Sequence, residues 1–169
     1  MIVLTGPPCS GKTSVARLLP GTLVEVDAVF DRLLPGSDRN RADRLRGYAA
    51  AHVLARLQLE QGRSPVLECT YARRDQRASL VEALPDVPLH VVELHVTADE
   101  AVARFRSRTQ QTDLDEGSLR ERVEAFPYSD GALGLTSGPP EDLARLLAAW
   151  LASGPPPVDA EAWVSRGTC

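Results

Sequence analysis

Short apolar runs alternate with amphipathic stretches along most of the chain. Five runs rich in Val, Ile and Leu have the length of buried strands: residues 1–5, 22–27, 65–70, 89–96 and 132–136. Between them, apolar residues recur every three or four positions, which predicts helices over residues 14–19, 27–34, 38–61, 74–84, 97–106, 118–126 and 139–151. Strands that alternate with helices indicate an α/β domain with a mostly parallel, five-stranded sheet.

Two segments lack this periodicity. Residues 107–117 (SRTQQTDLDEG) are polar and predict a loop or mobile lid. The Pro-rich tail over 154–169 has only Val158 and Trp163 to dock it on the body. We therefore expect one domain over 1–153, with its lid at about 107–117, followed by a C-terminal tail.

The composition is that of a soluble globular protein. The chain has 169 residues, of which 25% are charged and 43% hydrophobic. Lys12 is the single lysine among 19 basic residues, and 23 acidic residues bring the formal charge to −4. That balance disfavours a general electrostatic attraction to nucleic acid or to an anionic membrane.

The cysteines and histidines form no recognisable metal or disulfide pattern. Three cysteines are scattered along the chain, and the three histidines have no paired ligand spacing. No run approaches the roughly 18 apolar residues of a membrane span, and no basic segment precedes the first apolar run. We expect a cytoplasmic protein without a membrane partner.

Residues 6–13 (GPPCSGKT) fit the phosphate-loop pattern GxxxxGK[ST] between a predicted strand and a predicted helix. The two glycines allow a tight backbone whose N–H groups turn toward a phosphate, and the lysine places a compact charge between β- and γ-phosphates. Thr13 is the expected Mg²⁺ ligand. The predicted nucleotide-binding residues are Gly6, Pro8, Cys9, Ser10, Gly11, Lys12, Thr13 and Ser14, with Lys12 also catalytic. The expected nucleotide is ATP, with GTP left open.

Ligands of a parallel α/β sheet bind beyond the carboxyl ends of its strands. Asp27 ends the second predicted strand, where a carboxylate can accept the proton of an attacking hydroxyl. The alternative for Asp27 is a helix N-cap. Asp31, one turn later, can assist or simply be solvated. Thr70 ends the third predicted strand and is a candidate substrate contact.

Several classes of phosphate-loop protein are excluded. A GTPase needs a second lysine for its NKxD motif, and a molecular motor needs a longer chain. The third strand ends in Glu68-Cys69-Thr70, an imperfect Walker B sequence that leaves open which residue acts at the metal. A compact phosphotransferase remains.

Arginines flank the polar segment after the fourth strand. Arg104 and Arg108 are four residues apart, so a continuing helix would present them on one face. They are candidates to stabilise the transferred phosphate as a lid closes. Arg106 is a weaker candidate, and a solvated arginine face is the alternative for all three.

The sequence resembles the small P-loop kinases related to chloramphenicol phosphotransferase and polynucleotide kinase. The resemblance spans about residues 1–152 and rests on GPPCSGKT, VEVDAVFDRLLP, PVLECTYARRDQR and the Arg-rich lid entry. It implies a P-loop NTPase-type three-layer α/β/α sandwich, with the general base at Asp27. It also implies that Arg77 contacts substrate or phosphate.

Two departures from the relatives bear on the acceptor. Cys69 stands where relatives usually have Asp, and Phe30 where polynucleotide kinases have Arg. Phe30 and Tyr48, with Leu33 and Leu34, can wall an acceptor pocket for a small organic molecule or belong to the core. The basic clusters over 38–46 and 72–77 have interleaved acids, which favours solvated helix faces over a nucleic-acid patch.

The sequence therefore predicts an ATP- and Mg²⁺-dependent kinase that phosphorylates a hydroxyl of a small, antibiotic- or nucleoside-like molecule. One alternative is a 5′-hydroxyl polynucleotide kinase. The other is a nucleotide-binding regulatory module without transfer activity.

Overall fold

The structure is a computed structural model that describes residues 1–107 and 114–169. Arg108 and most of the expected lid lie outside the described residues. The strands are β1 (Ile2–Thr5), β2 (Thr22–Glu25), β3 (Pro65–Glu68), β4 (His90–His95) and β5 (Leu133–Thr136). The helices are α1 (Lys12–Ala16), α2 (Val26–Leu33), α3 (Arg41–Glu60), α4 (Arg74–Ala83), α5 (Ala98–Arg106), α6 (Glu116–Glu124), α7 (Pro140–Ala152) and α8 (Ala160–Arg166).

The five strands form one sheet in the order β2-β3-β1-β4-β5, and all four pairings are parallel. The central strand β1 pairs Leu4 with Glu68 of β3 and Thr5 with Glu93 of β4. The loop that follows β1 therefore emerges at the middle of the carboxyl edge. This confirms the predicted parallel α/β sheet.

Helices cover both faces of the sheet, which completes the predicted three layers. Val3 of β1 packs on one face with residues of α3, α4 and α8, such as Ala55, Leu80 and Trp163. Ile2 and Leu4 point to the other face, where they meet α1 and α7. Because neighbouring residues of a strand point to opposite faces and both faces are covered, β1 is buried at every position and has no charged residue.

A third, smaller cluster joins α5 and α6 to the phosphate loop. Val102 of α5 and Leu119 of α6 pack together with Cys9 of the loop. The packing fixes the end of α5 beside the loop. Across the ranges 1–107 and 114–169, no helix is long and apolar enough to cross a membrane.

The C-terminal segment contains a helix that the sequence pattern did not predict. In α8, Trp163 is buried in the main core, and Val158 packs against the same cluster. Thr168 then lies alongside Arg73, and its backbone N–H donates to the Ala72 carbonyl. Val158 and Trp163, the two residues expected to dock the tail, thus both pack against the main core.

The second strand ends two residues earlier than predicted. Its last pairing joins Glu25 to Glu68, and α2 begins at Val26. Asp27 therefore lies in the first turn of a helix and not at the end of a strand. Glu25 occupies the N-cap position, so the alternative role of Asp27 as N-cap does not hold.

Candidate active site

The phosphate loop depends on glycine at two positions. Gly6 has φ of 144°, and a Cβ there would lie 2.7 Å from the carbonyl oxygen of Leu94. Gly11 has φ of 96° in the left-handed region at the start of α1. A side chain at either position would be strained or would collide with β4. Glycine at these two positions therefore lets the backbone of the loop approach a phosphate closely.

The amino group of Lys12 lies inside the loop. The residue is 8% exposed, and its Nζ donates a hydrogen bond of 2.9 Å to the Pro7 carbonyl. The hydroxyl of Ser10 is buried nearby in the same loop and has no hydrogen-bond partner. A buried polar group without a partner is costly, and a phosphate oxygen is a ligand that it can bind. The loop thus fits a phosphate.

The other predicted loop residues differ in exposure. Cys9 is buried with φ of 61°, an uncommon value for a residue with a side chain. Pro8 is partly exposed. Ser14, in the first turn of α1, is exposed toward solvent.

Glu68 is the carboxylate that faces the predicted Mg²⁺ ligand. The Thr13 hydroxyl donates to Glu68 Oε2 across 3.1 Å. Burial raises the pKa of Glu68, while Lys12 and the Thr13 hydroxyl oppose that shift. A hydroxyl and a carboxylate oxygen beside a phosphate loop are hard ligands that suit Mg²⁺. The arrangement fits the metal.

The Cys69 thiol contacts Tyr48 and not the Thr13–Glu68 pair. Its Sγ lies 2.9 Å from the Tyr48 hydroxyl, and both residues are buried. Burial raises the pKa of the Cys69 thiol to about 12, so it stays protonated at neutral pH. At the end of the third strand, Glu68 and not Cys69 therefore faces the Thr13 hydroxyl.

Arg104 reaches the phosphate loop from α5. Its Nη1 donates to the carbonyl oxygens of Cys9 at 3.2 Å and Ser10 at 3.1 Å. The side chain is partly buried there, against carbonyls that shortly precede Lys12 in the loop. A guanidinium held at this place is within reach of a phosphate bound by the loop.

Arg106 points elsewhere. It forms two hydrogen bonds of 2.7 Å with Glu116 of α6, and its side chain is 67% exposed. Arg108 lies outside the described residues, so its predicted role stays a prediction.

Asp27 lies close to the same edge and is paired with an arginine that the sequence reasoning missed. Arg39 Nη1 donates to Asp27 at 3.4 Å, and the same guanidinium also bonds Asp31. Asp27 raises the pKa of Glu68 and of Cys69 through its charge, since it lies near both. The predicted base thus lies close enough to Glu68 for its charge to affect that carboxylate.

Of the predicted pocket-wall residues, Phe30 and Tyr48 are buried in the core at this edge, whereas Leu33 is exposed and Leu34 is partly exposed. Phe30 is 4% exposed, and a Cβ on Gly47 would lie 2.7 Å from its ring. Tyr48 is 5% exposed and packs edge-on against Tyr71. Thr70 is partly exposed two residues after β3, and its carbonyl accepts a hydrogen bond from the Thr5 hydroxyl.

Arg77, which was expected to contact substrate or phosphate, is instead buried in the core. Arg77 is fully buried in α4, and its guanidinium donates to four oxygens. These are the carbonyls of Tyr71, Pro127 and Trp163 and the hydroxyl of Ser129, at 2.7 to 2.9 Å. Glu93 lies 3.9 Å away as its counter-charge. The donors are used inside the core, where no acceptor can reach them.

A family model described as an AAA domain matches residues 1–127. The chain belongs to this family. A search of curated proteins found no match.

Solved structures share the fold over nearly the whole chain. An unliganded sugar kinase from Janibacter sp. HTCC2649 is 19% identical, with 99% of this chain and 98% of that chain covered and a TM-score of 0.68. A gluconokinase from Sinorhizobium meliloti 1021 is 23% identical, with 91% and 92% covered and a TM-score of 0.69. The APS kinase of Mycobacterium tuberculosis, in complex with AMPPNP and APS, is 19% identical, with 89% and 96% covered and a TM-score of 0.65. The fold is that of small P-loop kinases.

Proposed function

We propose that this protein is an ATP- and Mg²⁺-dependent kinase that transfers the γ-phosphate to a hydroxyl of a small molecule. The observation that carries the proposal is the grouping of Lys12, the Thr13–Glu68 pair and Arg104 at one edge of the sheet, with Asp27 beside them. Structural relatives named as kinases of sugars and of APS support the assignment, and one of them was solved with an ATP analogue.

The loop cations are already placed for a phosphate. Lys12 and Arg104 both donate to loop carbonyls. Phosphate oxygens are stronger acceptors than carbonyls because they are charged, so both side chains exchange partners when nucleotide binds. Thr13 and Glu68 would hold Mg²⁺, which neutralises charge that develops on the phosphates.

Asp27 is the proposed general base. The acceptor oxygen attacks the γ-phosphorus, the bond from that phosphorus to the β–γ bridging oxygen breaks, and ADP leaves. Asp27 takes the hydroxyl proton as the new bond forms. Its side chain is 72% exposed, so a substrate can reach it.

The arginine clusters give little support to a nucleic-acid substrate. In the cluster over 38–46, Arg39, Arg41 and Arg46 each pair with a carboxylate. In the cluster over 72–77, Arg77 is buried in the core and Arg73 lies 3.6 Å from Asp75. Side chains neutralised in this way offer little free positive charge to a phosphate backbone.

Asp27→Asn tests the proposal. With labelled ATP and a metabolite extract, we expect formation of the labelled product to fall at least about 100-fold, because general-base catalysis is worth that much. Binding of MgATP should be unchanged, since Asp27 is hydrogen-bonded to Arg39, outside the phosphate loop. Asp142→Asn is the matched control, on an exposed face of α7.

Two outcomes would contradict the proposal. Unchanged turnover in Asp27→Asn would remove Asp27 as the base. Slow loss of ATP that no acceptor accelerates would instead identify a nucleotide-binding regulatory module.

A further inference from the structure

The connection between α2 and α3 carries Arg39 back onto α2. Its guanidinium bonds both Asp27 and Asp31, which are one helical turn apart on the same face. The guanidinium carbon also lies 4.9 Å from the centre of the Phe30 ring. Arg39 therefore bridges the proposed base and a second carboxylate.

The backbone of this connection is built around Arg39. Its φ of 55° is unusual for a residue with a side chain. Its N–H donates to Ser37 Oγ at 3.0 Å, and that hydroxyl donates in turn to Asp43 at 2.7 Å. Arg44 Nε donates to the Arg39 carbonyl at 2.6 Å. Such contacts hold the strained turn in one conformation.

The carboxylates, and not the guanidinium, form the outer part of this cluster. The side chains of Asp27 and Asp31 are 72% and 60% exposed, whereas that of Arg39 is 28% exposed. An arriving molecule thus meets carboxylate oxygens first. Two carboxylates and one guanidinium also leave one net negative charge.

We propose that the acceptor replaces the Arg39 guanidinium on Asp27 and Asp31, and that it is a hydroxyl compound rich in hydrogen-bond donors without a negative charge at this end. The inference rests on the proposed function, because it takes Asp27 as the base that receives the acceptor.

The chemistry of the two carboxylates selects this class. An ionised carboxylate only accepts hydrogen bonds, so the replacement must supply O–H or N–H groups to both. Vicinal hydroxyls or an amino group beside a hydroxyl meet that need. A compound with one hydroxyl in an apolar frame would leave one of the carboxylates without a donor.

An anionic acceptor would be bound in a different way. To pair with Arg39, it would have to displace the carboxylates of Asp27 and Asp31 from the guanidinium. Its own negative charge would then lie beside these two carboxylates. Like charges at such distances repel, which counts against this class.

Three six-carbon polyhydroxy probes of different charge test the inference: glucosamine as a cation, glucitol as a neutral polyol and gluconate as an anion. Each is titrated at millimolar concentrations while the ¹³C signals of the Asp27 and Asp31 carboxyl groups are followed by NMR. The variants are Arg39→Gln and Asp31→Asn. The control is Arg41→Gln, whose side chain is 67% exposed and pairs with Asp75.

We expect glucosamine and glucitol to shift both carboxyl signals and to bind more tightly than gluconate. Arg39→Gln should tighten their binding about two- to fivefold, because it removes a competing exposed ion pair of ordinary strength. Asp31→Asn should weaken the binding of glucosamine by a similar factor. Arg41→Gln should leave the binding of all three probes unchanged.

If gluconate bound most tightly of the three probes and lost that affinity in Arg39→Gln, the inference would be overturned. Arg39 would then be a receptor for anions. The absence of any carboxyl shift with all three probes would overturn it as well. Failure of the proposed function is distinguishable, since it would show as intact binding of MgATP without transfer to any acceptor.

Discussion

Lys12 is the single lysine of the chain, and its amino group is held by the Pro7 carbonyl inside the phosphate loop. An amine-directed reagent has only one other target, the N-terminal amino group. That group donates to the Pro88 carbonyl, and burial lowers its pKa from 8.0. Both amines lie on the tryptic peptide over residues 1–17, so fragment ions of that peptide tell modification of Met1 from modification of Lys12.

We predict that MgATP at 100 times its Kd slows modification of Lys12 about 100-fold, because only the free protein reacts. Modification of Met1 should continue at its original rate and serves as the internal control. Peptide mass spectrometry over time measures both rates. Equal rates at Lys12 with and without nucleotide would refute the assigned phosphate site.

Arg104 and Arg106 provide a matched pair on one helix. We predict that Arg104→Ala lowers kcat at least about 100-fold, because it removes a cation that stabilises charge on the transferred group. Arg106→Ala should change kcat less than about threefold, since its exposed pair with Glu116 contributes little. Steady-state ADP release measures both, and equal losses in the two variants would contradict the assignment.

The residues of the phosphate loop were predictable because their chemistry is local. Gly6, Gly11 and Lys12 act within eight consecutive positions that the sequence shows directly. Arg77 and Arg39 were not predictable in this way. The partners of Arg77 lie up to 86 residues away, and the pairing of Arg39 depends on a turn with positive φ.

At the scale of elements, α3 and α4 meet through a buried polar chain. His52 Nε2 lies 3.0 Å from the Tyr71 hydroxyl, and its Nδ1 lies 3.2 Å from Ser79 Oγ. One ring nitrogen of a neutral imidazole donates and the other accepts, so both contacts suit the uncharged form. Burial lowers the pKa of His52 from 6.5 to about 4.

This burial gives stability a defined dependence on pH. Well above pH 6.5, His52 is neutral in both the folded and the unfolded state and contributes no dependence on pH. As the pH falls from 6.5 toward 4, the unfolded chain binds a proton that the folded protein excludes, so stability decreases. At pH 5 we predict a loss of roughly 2 kcal/mol from this group alone.

The comparison of wild type with His52→Gln isolates that contribution. Urea unfolding at pH 7 and pH 5 gives the free energy of unfolding of each protein. The difference between the two proteins should change by roughly 2 kcal/mol between these values of pH. Parallel losses in both proteins would show that other groups carry the acid sensitivity.

The alternation of strands and helices was predictable because each element carries its own periodicity. The boundary between β2 and α2 was not, because strand pairing stops at Glu25 while the apolar pattern continues through Val26. Helix α8 was also missed. Its seven residues follow a Pro-rich stretch, and Trp163 is buried only because α4 and its neighbours form a site for it.

At the scale of the whole molecule, the distribution of charge distinguishes a small-molecule acceptor from a nucleic-acid acceptor. The formal charge is −4, and arginines on several surfaces pair with nearby acids, such as Arg17 with Glu25 and Arg120 with Asp99. A kinase of small molecules has little need for a wide positive surface. A kinase of nucleic acid contacts several phosphates at once.

We predict that kcat/KM for the acceptor changes less than about threefold between 50 and 200 mM salt. A protein with six to ten phosphate contacts would lose about 10³- to 10⁵-fold over the same range. The control is the KM for MgATP, measured in the same series. A steep loss that follows the acceptor and not the nucleotide would favour the polynucleotide kinase.

The contacts of Arg77 also set an order of events during synthesis. One of its acceptors, the Trp163 carbonyl, lies 86 residues further along the chain. At 5 to 20 residues per second, a ribosome needs about 4 to 17 s to add them. Until then the guanidinium lacks one of its four hydrogen-bond acceptors, and a buried donor without its partner is destabilising. The nascent chain can therefore complete this core only after Trp163 has been added.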